Sequence, residues 1–196
     1  MTANRSVISD GILTEWLYRT GHIKPKKFIS IGRIEPCLPV IEGKQIIVGN
    51  NFYEFGNFTL ETYLNYLQQL KLLYPKAFYF PHPKELSIHP ENIFKEYLIK
   101  TDYNIESYCH KYGVPGHIIG YVGSTAIASI GKLANSNVII EAIKIPEDYC
   151  DGPTGNSTDP FLLQSRGIKI DLTILEEVVE QILQDVPNVQ LLAKYL

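Results

Sequence analysis

The chain lacks the charge imbalance, the paired cysteines and the long apolar runs that mark several classes of protein. Its 196 residues carry 18 basic and 21 acidic side chains, and the formal net charge of −3 predicts no binding of nucleic acid. The three cysteines form no CxxC pair, which is typical of reduced thiols in a cytoplasmic protein. No run reaches the ~18 apolar residues of a membrane-spanning helix, and the first residues do not resemble a signal peptide.

Several catalytic and ligand-binding motifs are also missing. The chain contains neither the GxGxxG dinucleotide fingerprint nor the GxxxxGK[ST] phosphate loop, and it has no GxSxG motif of the serine hydrolases. His82 and His89 are seven residues apart, as are His110 and His117, and this differs from the helical spacing of zinc-binding histidines. We therefore expect no metal site.

The sequence does contain a regular alternation of strand-like and helix-like segments. Apolar, β-branched runs predict strands at 45–50, 77–80, 117–122 and 137–145. Periodic apolar faces predict helices at 60–74, 90–99, 105–112, 126–133 and 172–186, with a mobile loop at 146–159 and a last helical turn within 188–196. The pattern predicts an α/β fold over 45–196, a Rossmann-like parallel sheet with helices on both faces, preceded by a partial N-terminal segment and linker at 1–44.

The turn Pro81-His82-Pro83-Lys84 follows the aromatic strand predicted at 77–80. Pro81 ends the strand because it has no N–H for a sheet, and Pro83 pushes His82 towards extended geometry. The carboxyl ends of the strands are where open α/β sheets bind ligands, and Lys84 adds positive charge. The turn therefore predicts a site for phosphate or another anion. The alternative is a histidine on an ordinary surface turn.

A second candidate site is Gly123-Ser124-Thr125, where a predicted strand gives way to a predicted helix. The unpaired N–H groups and the dipole at a helix start favour an anion, and two hydroxyls add hydrogen-bond donors. We expect this loop and the His82 turn to be neighbours at one edge of the sheet and to hold a phosphate between them. The alternative is simple N-capping of the helix by Ser124 or Thr125.

A third candidate is Asp10-Gly11, which follows a short strand-like segment at 7–9. A carboxylate on a tight turn at a strand end can serve as a general base. An Asp before a Gly is equally typical of a turn with no further role. The residues alone leave both interpretations open.

The order Asp10-Gly11, His82-Pro83, Ser124-Thr125 resembles that of the bacterial sialyltransferases, which share an acidic-Gly motif, an HP motif and a Ser–Ser/Thr motif. The segment 45–85 is similar to the nucleotide-binding half of glycosyltransferase family 52, which includes lipooligosaccharide sialyltransferases. The resemblance extends over about residues 5 to 145. It implies the C-terminal domain of a GT-B glycosyltransferase.

The resemblance implies inverting, metal-independent transfer of sialic acid from CMP-sialic acid to a lipooligosaccharide acceptor, without a cofactor. His82 would face the departing phosphate as general acid or electrostatic partner, and Asp10 would deprotonate the acceptor. Ser9 stands where the family motif has a second acid, and Glu54-Phe55-Gly56 partly resembles that motif, so Glu54 is a second candidate base. The implied donor-binding residues are Gly49, Asn50, Pro83, Lys84, Gly123, Ser124 and Thr125.

The resemblance also implies a homodimer in the cytoplasm with peripheral contact to the inner membrane. A GT-B enzyme needs two Rossmann-like domains, and 196 residues accommodate about one and a half. We therefore expect a fragment, or an active site that another chain completes. The alternative function is a truncated, catalytically silent module that binds a nucleotide or phosphate.

Overall fold

The computed structural model describes residues 38–54, 56–85, 89–145, 183–184 and 188–195, and five strands within them form one parallel sheet. The strands are β1 (Val40–Val48), β2 (Phe78–Phe80), β3 (Val114–Tyr121), β4 (Val138–Lys144) and β5 (Val189–Tyr195). The helices are α1 (Leu60–Leu73), α2 (His89–Phe94), α3 (Ile105–Tyr112) and α4 (Thr125–Leu133), with a 3₁₀ helix at Lys95–Tyr97. The predicted α/β fold is confirmed.

The strand order is β2-β1-β3-β4-β5, so the direction of winding reverses between β1 and β3. One unit, β1-α1-β2, extends the sheet to one side, and a second unit, β3-α4-β4, extends it to the other. All pairings are parallel, including the central pair in which Ile46 of β1 lies opposite Ile118 of β3. The crevice at such a reversal, outside the carboxyl ends of the strands, is where open α/β sheets bind ligands.

Helix α1 begins where the sequence predicts. The Thr59 side chain caps it by accepting a hydrogen bond from the Thr62 N–H at 3.3 Å, and Pro75 stops it. Its buried face, Tyr63, Tyr66, Leu67 and Leu70, packs on the sheet. Two tyrosines on this face bring hydroxyl groups into the interior, where they need hydrogen-bond partners.

Helix α3 also begins and ends where predicted. The Asn104 side chain accepts a hydrogen bond from the Ser107 N–H at 2.8 Å, and Gly113 ends the helix with φ +94°, in the region that favours glycine. Helix α2 is shorter than the helix predicted at 90–99. It ends at Phe94 because Lys95, with φ +46°, begins a 3₁₀ turn.

The core consists of two apolar clusters, one on each face of the sheet. Along β1, Ile46 and Val48 join the cluster that contains Cys109 of α3, while Ile47 joins the cluster under α1. The side chains of Ile46, Ile47 and Val48 are at most 4% exposed. This burial on both faces explains the continuous apolar run by which the strand is recognised in the sequence.

Strand β1 begins at Val40, earlier than the predicted start at residue 45. The polar run at 42–44 interrupts the apolar pattern, so this part of the strand resembles a loop in the sequence. The register shifts between Ile41 and Gln45, and Gly43 takes φ +73° within the shift. A bulge of this kind lets the strand continue past residues that do not fit its alternation.

The predicted helical turn at 188–196 is wrong, because the structure forms β5 there. Leu191 pairs with Ile140 of β4, and the parallel register continues to Tyr195. Leu, Ala and Lys are good helix formers, but the open edge of β4 offers backbone hydrogen bonds that override the local preference. Asp10, Gly11, the loop at 146–159 and most of the helix at 172–186 lie outside the described residues.

Candidate functional site

His82 lies just past the carboxyl end of β2, as predicted, on a turn that is closed by backbone hydrogen bonds. The Glu85 N–H donates to the His82 carbonyl at 2.8 Å, and the Lys84 N–H donates to Nδ1 of the His82 ring at 3.1 Å. The end of β1 lies alongside, since the Gly49 N–H donates to the Phe80 carbonyl at 2.8 Å. The imidazole is therefore fixed in position next to the strand at which the winding reverses.

The Glu85 carboxylate anchors this turn from inside the protein, and sequence reasoning assigned it no role. One oxygen, Oε1, accepts hydrogen bonds from the hydroxyls of Tyr63 and of Tyr79, the latter at 2.6 Å. The other, Oε2, accepts the backbone N–H of His82 at 3.0 Å. Glu85 is 8% exposed. The sequence signal for this role is the placement of Tyr63 and Tyr79 at core-facing positions, because buried hydroxyls require a hydrogen-bond acceptor.

Burial raises the pKa of Glu85 to about 7, although the three hydrogen bonds act in the opposite direction. The nearby Glu54 carboxylate contributes a smaller upward shift of this pKa. Glu54, the second candidate base, therefore lies within electrostatic reach of the carboxylate that anchors His82. Asp10, the first candidate base, lies outside the described residues.

Gly49 is required by the buried network itself. A Cβ at this position would lie 2.6 Å from Glu85 Oε2, 2.7 Å from the Tyr79 hydroxyl oxygen and 3.0 Å from the His82 nitrogen. Real Cβ atoms do not approach their neighbours so closely, so a larger residue would require Glu85, Tyr79 or the His82 backbone to shift. The resemblance assigned Gly49 to donor binding, and the structure gives a separate reason for a glycine there.

Asn50, another residue predicted to bind the donor, is 8% exposed and forms a hydrogen bond with the Tyr66 hydroxyl. It belongs to the buried polar groups behind the turn. Pro83 and Lys84, in contrast, are exposed beside His82. The predicted donor-binding residues of this region are thus divided between a buried layer and an exposed rim.

The ring of His82 has one nitrogen to offer a ligand. Partial burial lowers its pKa below the usual value, and the positive charge of Lys84 lowers this pKa further. The imidazole is therefore neutral at pH 7. Since Nδ1 accepts the Lys84 N–H, the ring hydrogen is on Nε2, which can donate to an anion.

The Gly123-Ser124-Thr125 loop follows β3 at the same edge of the sheet, as predicted. The Ser124 N–H donates to the Tyr121 carbonyl at 2.9 Å, which forms a turn into α4. Ser124 is the N-cap residue, but its side chain makes no capping hydrogen bond. Simple N-capping by Ser124, the alternative interpretation, is therefore not what the structure has.

The two loops are not neighbours, and this corrects the predicted arrangement. β1 lies between β2 and β3, so the two strand ends are about 10 Å apart at the usual spacing of strands. The segment after β1 fills part of the interval, with the Phe52 ring packed edge-on against Tyr121 at 5.2 Å between centroids. A longer ligand would reach both.

A cavity of about 620 Å³ lies at the opposite edge of the sheet, near the amino ends of the strands. Its walls include Gln45, His117, Asn137 and Gln190, and none of those predicted site residues that the structure describes. We retain the carboxyl edge as the candidate site because the anchored histidine and the reversal of winding coincide there. The described part of the chain contains no group of three or more metal-binding side chains.

Comparison with known proteins adds no relationship, because no family model, no curated protein and no solved structure matches the chain. Among the helices within the described ranges, none has both the length and the apolar character needed to cross a membrane. The candidate site consequently stands on its own geometry and on the motif order.

Proposed function

We propose that the protein binds a CMP-activated sugar at the carboxyl edge of its sheet and acts as a glycosyltransferase of the sialyltransferase type. The observation that carries the proposal is the anchoring of His82, whose position is held by Glu85 and whose tautomer is set by the Lys84 N–H. This arrangement presents Nε2–H to a phosphate. The order of the Asp-Gly, His-Pro and Ser-Thr motifs supports the assignment of the donor.

In the proposed reaction an acceptor hydroxyl attacks the anomeric carbon of the donor sugar. The bond from that carbon to the phosphate oxygen breaks, its electron pair goes to the phosphate of CMP, and the configuration inverts. The acceptor proton goes to a carboxylate, for which Asp10 and Glu54 are the candidates. Because the pKa of His82 is lowered, the ring acts first as a hydrogen-bond donor to the phosphate, whose growing negative charge strengthens the bond.

The separation of the two loops indicates how the donor would lie. His82 and Ser124 are separated by the width of β1, so we assign His82 to the phosphate and Ser124 to another part of the nucleotide or sugar. The transfer would take place in the cytoplasm at the inner membrane, within a homodimer whose second chain helps to complete the acceptor site. These placements follow the family that the motifs resemble.

Calorimetry with CMP and with cytidine tests the phosphate contact, and a CMP-sialic acid hydrolysis and transfer assay tests turnover. We expect His82→Ala to reduce turnover by about 100-fold or more, the usual effect of losing one donor to developing charge. It should also remove the advantage of CMP over cytidine in binding. The fold should persist, because an alanine keeps the backbone N–H that donates to Glu85.

His110→Ala is the matched control, since His110 is exposed on α3 and should be replaceable without effect on either measurement. Turnover that is unchanged in His82→Ala would contradict the proposed role. The second candidate function is a silent nucleotide-binding module, favoured by the observation that the described strands form a single sheet. Binding of CMP without any turnover in the unaltered protein would select the module.

A further inference from the structure

The amino edge of the sheet carries polar side chains where a buried parallel sheet is normally apolar. The strand registers place Gln45, His117, Ile139 and Gln190 in one row across β1, β3, β4 and β5. Paired residues of a parallel sheet point to the same face, and strands covered on both faces are normally rich in Val, Ile and Leu. Three of the four residues in this row are polar, which is unusual for such a sheet, and the proposed function assigns them no role.

His117 in this row is held in one orientation from behind. Its Nε2 lies 2.9 Å from Oε2 of Glu141, and the Tyr74 hydroxyl forms a hydrogen bond with the same carboxylate. The ring of Tyr74 also packs edge-on against the imidazole. The side chains of His117 and Glu141 are only 20% and 13% exposed, so the contact is shielded from water.

The contact with Glu141 also determines what His117 can offer to a ligand. A carboxylate only accepts hydrogen bonds, so Nε2 of the ring carries a hydrogen and Nδ1 is the nitrogen left for a ligand. No residue in the part of the chain described by the structure forms a hydrogen bond with Nδ1. His117 lines the cavity at this edge. The ring is therefore a hydrogen-bonding group of fixed orientation in the wall of the cavity.

The other polar groups of the cavity define the class of ligand. Its volume of about 620 Å³ falls within the range of small-molecule sites. The described residues of its walls carry four amides and one carboxylate, with no lysine or arginine among them; these polar residues are Gln45, Asn137, Asn188, Gln190 and Glu42. Amides both donate and accept, which suits hydroxyl groups, whereas the carboxylate disfavours an anion.

We propose that this cavity binds a small uncharged polyhydroxylated molecule of the sugar class, with Nδ1 of His117 hydrogen-bonded to one hydroxyl. The site is separate from the one proposed for CMP, because His117 is about 13 Å along β3 from the carboxyl edge. The inference therefore does not rest on the proposed transferase function.

Nuclear magnetic resonance of the histidine ring nitrogens tests the site directly. D-glucose, D-galactose and N-acetylglucosamine are added separately to the ¹⁵N-labelled full chain at millimolar concentration, and inorganic phosphate serves as the anionic probe. We expect at least one sugar to shift the Nδ1 resonance of His117 in a saturable way, and phosphate to leave it unchanged. The side-chain amides of Gln45 and Gln190 should shift with the same midpoint.

Two variants and one control keep the test decisive. Gln190→Leu removes an exposed polar side chain from an edge strand and should weaken binding about threefold, and His117→Gln should weaken it about tenfold, as expected for lost neutral hydrogen bonds. His110→Gln should bind like the unaltered chain. The proposal is overturned by three results: no saturable shift with any of the sugars, a shift with phosphate instead, or equal affinity in both variants and the control.

Discussion

Each edge of the sheet combines a glutamate, a histidine and at least one tyrosine, but the glutamate contacts a different part of the histidine at each edge. At the carboxyl edge, Glu85 binds the backbone of His82 and the hydroxyls of Tyr63 and Tyr79. At the amino edge, Glu141 binds the ring of His117 together with a tyrosine hydroxyl. One glutamate fixes the position of a histidine and leaves its ring available, whereas the other fixes the ring itself.

This difference leaves a different ring nitrogen of each histidine to a ligand. His82 accepts at Nδ1 and keeps its hydrogen on Nε2, so it can donate to an anion. His117 donates from Nε2 to Glu141, so its Nδ1 is the nitrogen left for a hydroxyl. The same side chain is thus prepared for two classes of ligand by the hydrogen bond that its other nitrogen makes. Three predictions test this comparison.

The largest expected effect is a dependence of stability on pH that originates in Glu85. Burial raises the pKa of Glu85 to about 7 in the folded chain, against about 4.3 in an unfolded chain. The folded state therefore binds more protons between these values. The free energy of unfolding should fall as the pH rises from about 4 to 7, by up to about 3 kcal/mol. Urea unfolding at a series of pH values measures this slope.

Two variants test whether Glu85 causes this dependence of stability on pH. Glu85→Gln removes the titrating group and should flatten the dependence. Tyr79→Phe removes a hydrogen bond that lowers the pKa of Glu85, so the slope should begin at the same pH and extend to higher pH. An unaltered protein whose stability rises across this window would show that Glu85 is ionised throughout.

The next effect concerns two glycines in and after β1, one near each edge. Gly49→Ala places a Cβ 2.6 Å from the Glu85 carboxylate and should destabilise the fold by about 1–3 kcal/mol, as overpacking does. Gly43→Ala at the cavity meets nothing within 4 Å, although its φ of +73° adds about 1 kcal/mol of strain. Thermal unfolding of both variants measures the difference.

The CMP affinity of the two glycine variants sharpens the comparison between the edges. Gly49→Ala should also weaken the binding of CMP, because it displaces the anchor of His82, whereas Gly43→Ala should not. Equal loss of CMP binding in both variants would mean that a general loss of stability, and not the anchor, controls the site.

The smallest effect is spectroscopic and involves no loss of stability. Ring ¹⁵N shifts at pH 7 should show a neutral His82 with its hydrogen on Nε2 and a His117 bonded through Nε2 to a carboxylate. CMP should raise the pKa of His82, because a nearby phosphate favours the charged ring. Rings that are identical and average between tautomers would remove the distinction between the two edges.

Sequence reasoning predicted the fold well where elements carry their own start and stop signals. Helices α1 and α3 begin where predicted, because the hydrogen bonds by which Thr59 and Asn104 cap them are local. It failed at β5, where the pairing partner, β4, is remote in sequence and the residues themselves favour a helix. Local preference does not reveal which strand edge is available to a distant segment.

In the candidate site, too, the local features were predicted and the long-range ones were not. The position of His82 at a strand end was predicted, because the two prolines act on their immediate neighbours. The role of Glu85 was not, since it depends on Tyr63, a residue 22 positions earlier on another element. The supposed closeness of His82 and Ser124 failed for a further reason. Local sequence patterns indicate where strands occur but not their order in the sheet. Here β1 lies between β2, which precedes His82, and β3, which precedes Ser124.

The reversal of winding between β1 and β3 also bears on how the chain folds. Each of the two units, 40–80 and 114–144, brings its strands together by closing a short segment of chain, which costs little entropy. The β1–β3 pair instead joins residues such as Ile46 and Ile118, which are far apart in sequence. We expect the β1–β3 pairing to form last and to limit the folding rate, as non-local pairings generally do. The crevice proposed for the ligand would then be completed only in that final step.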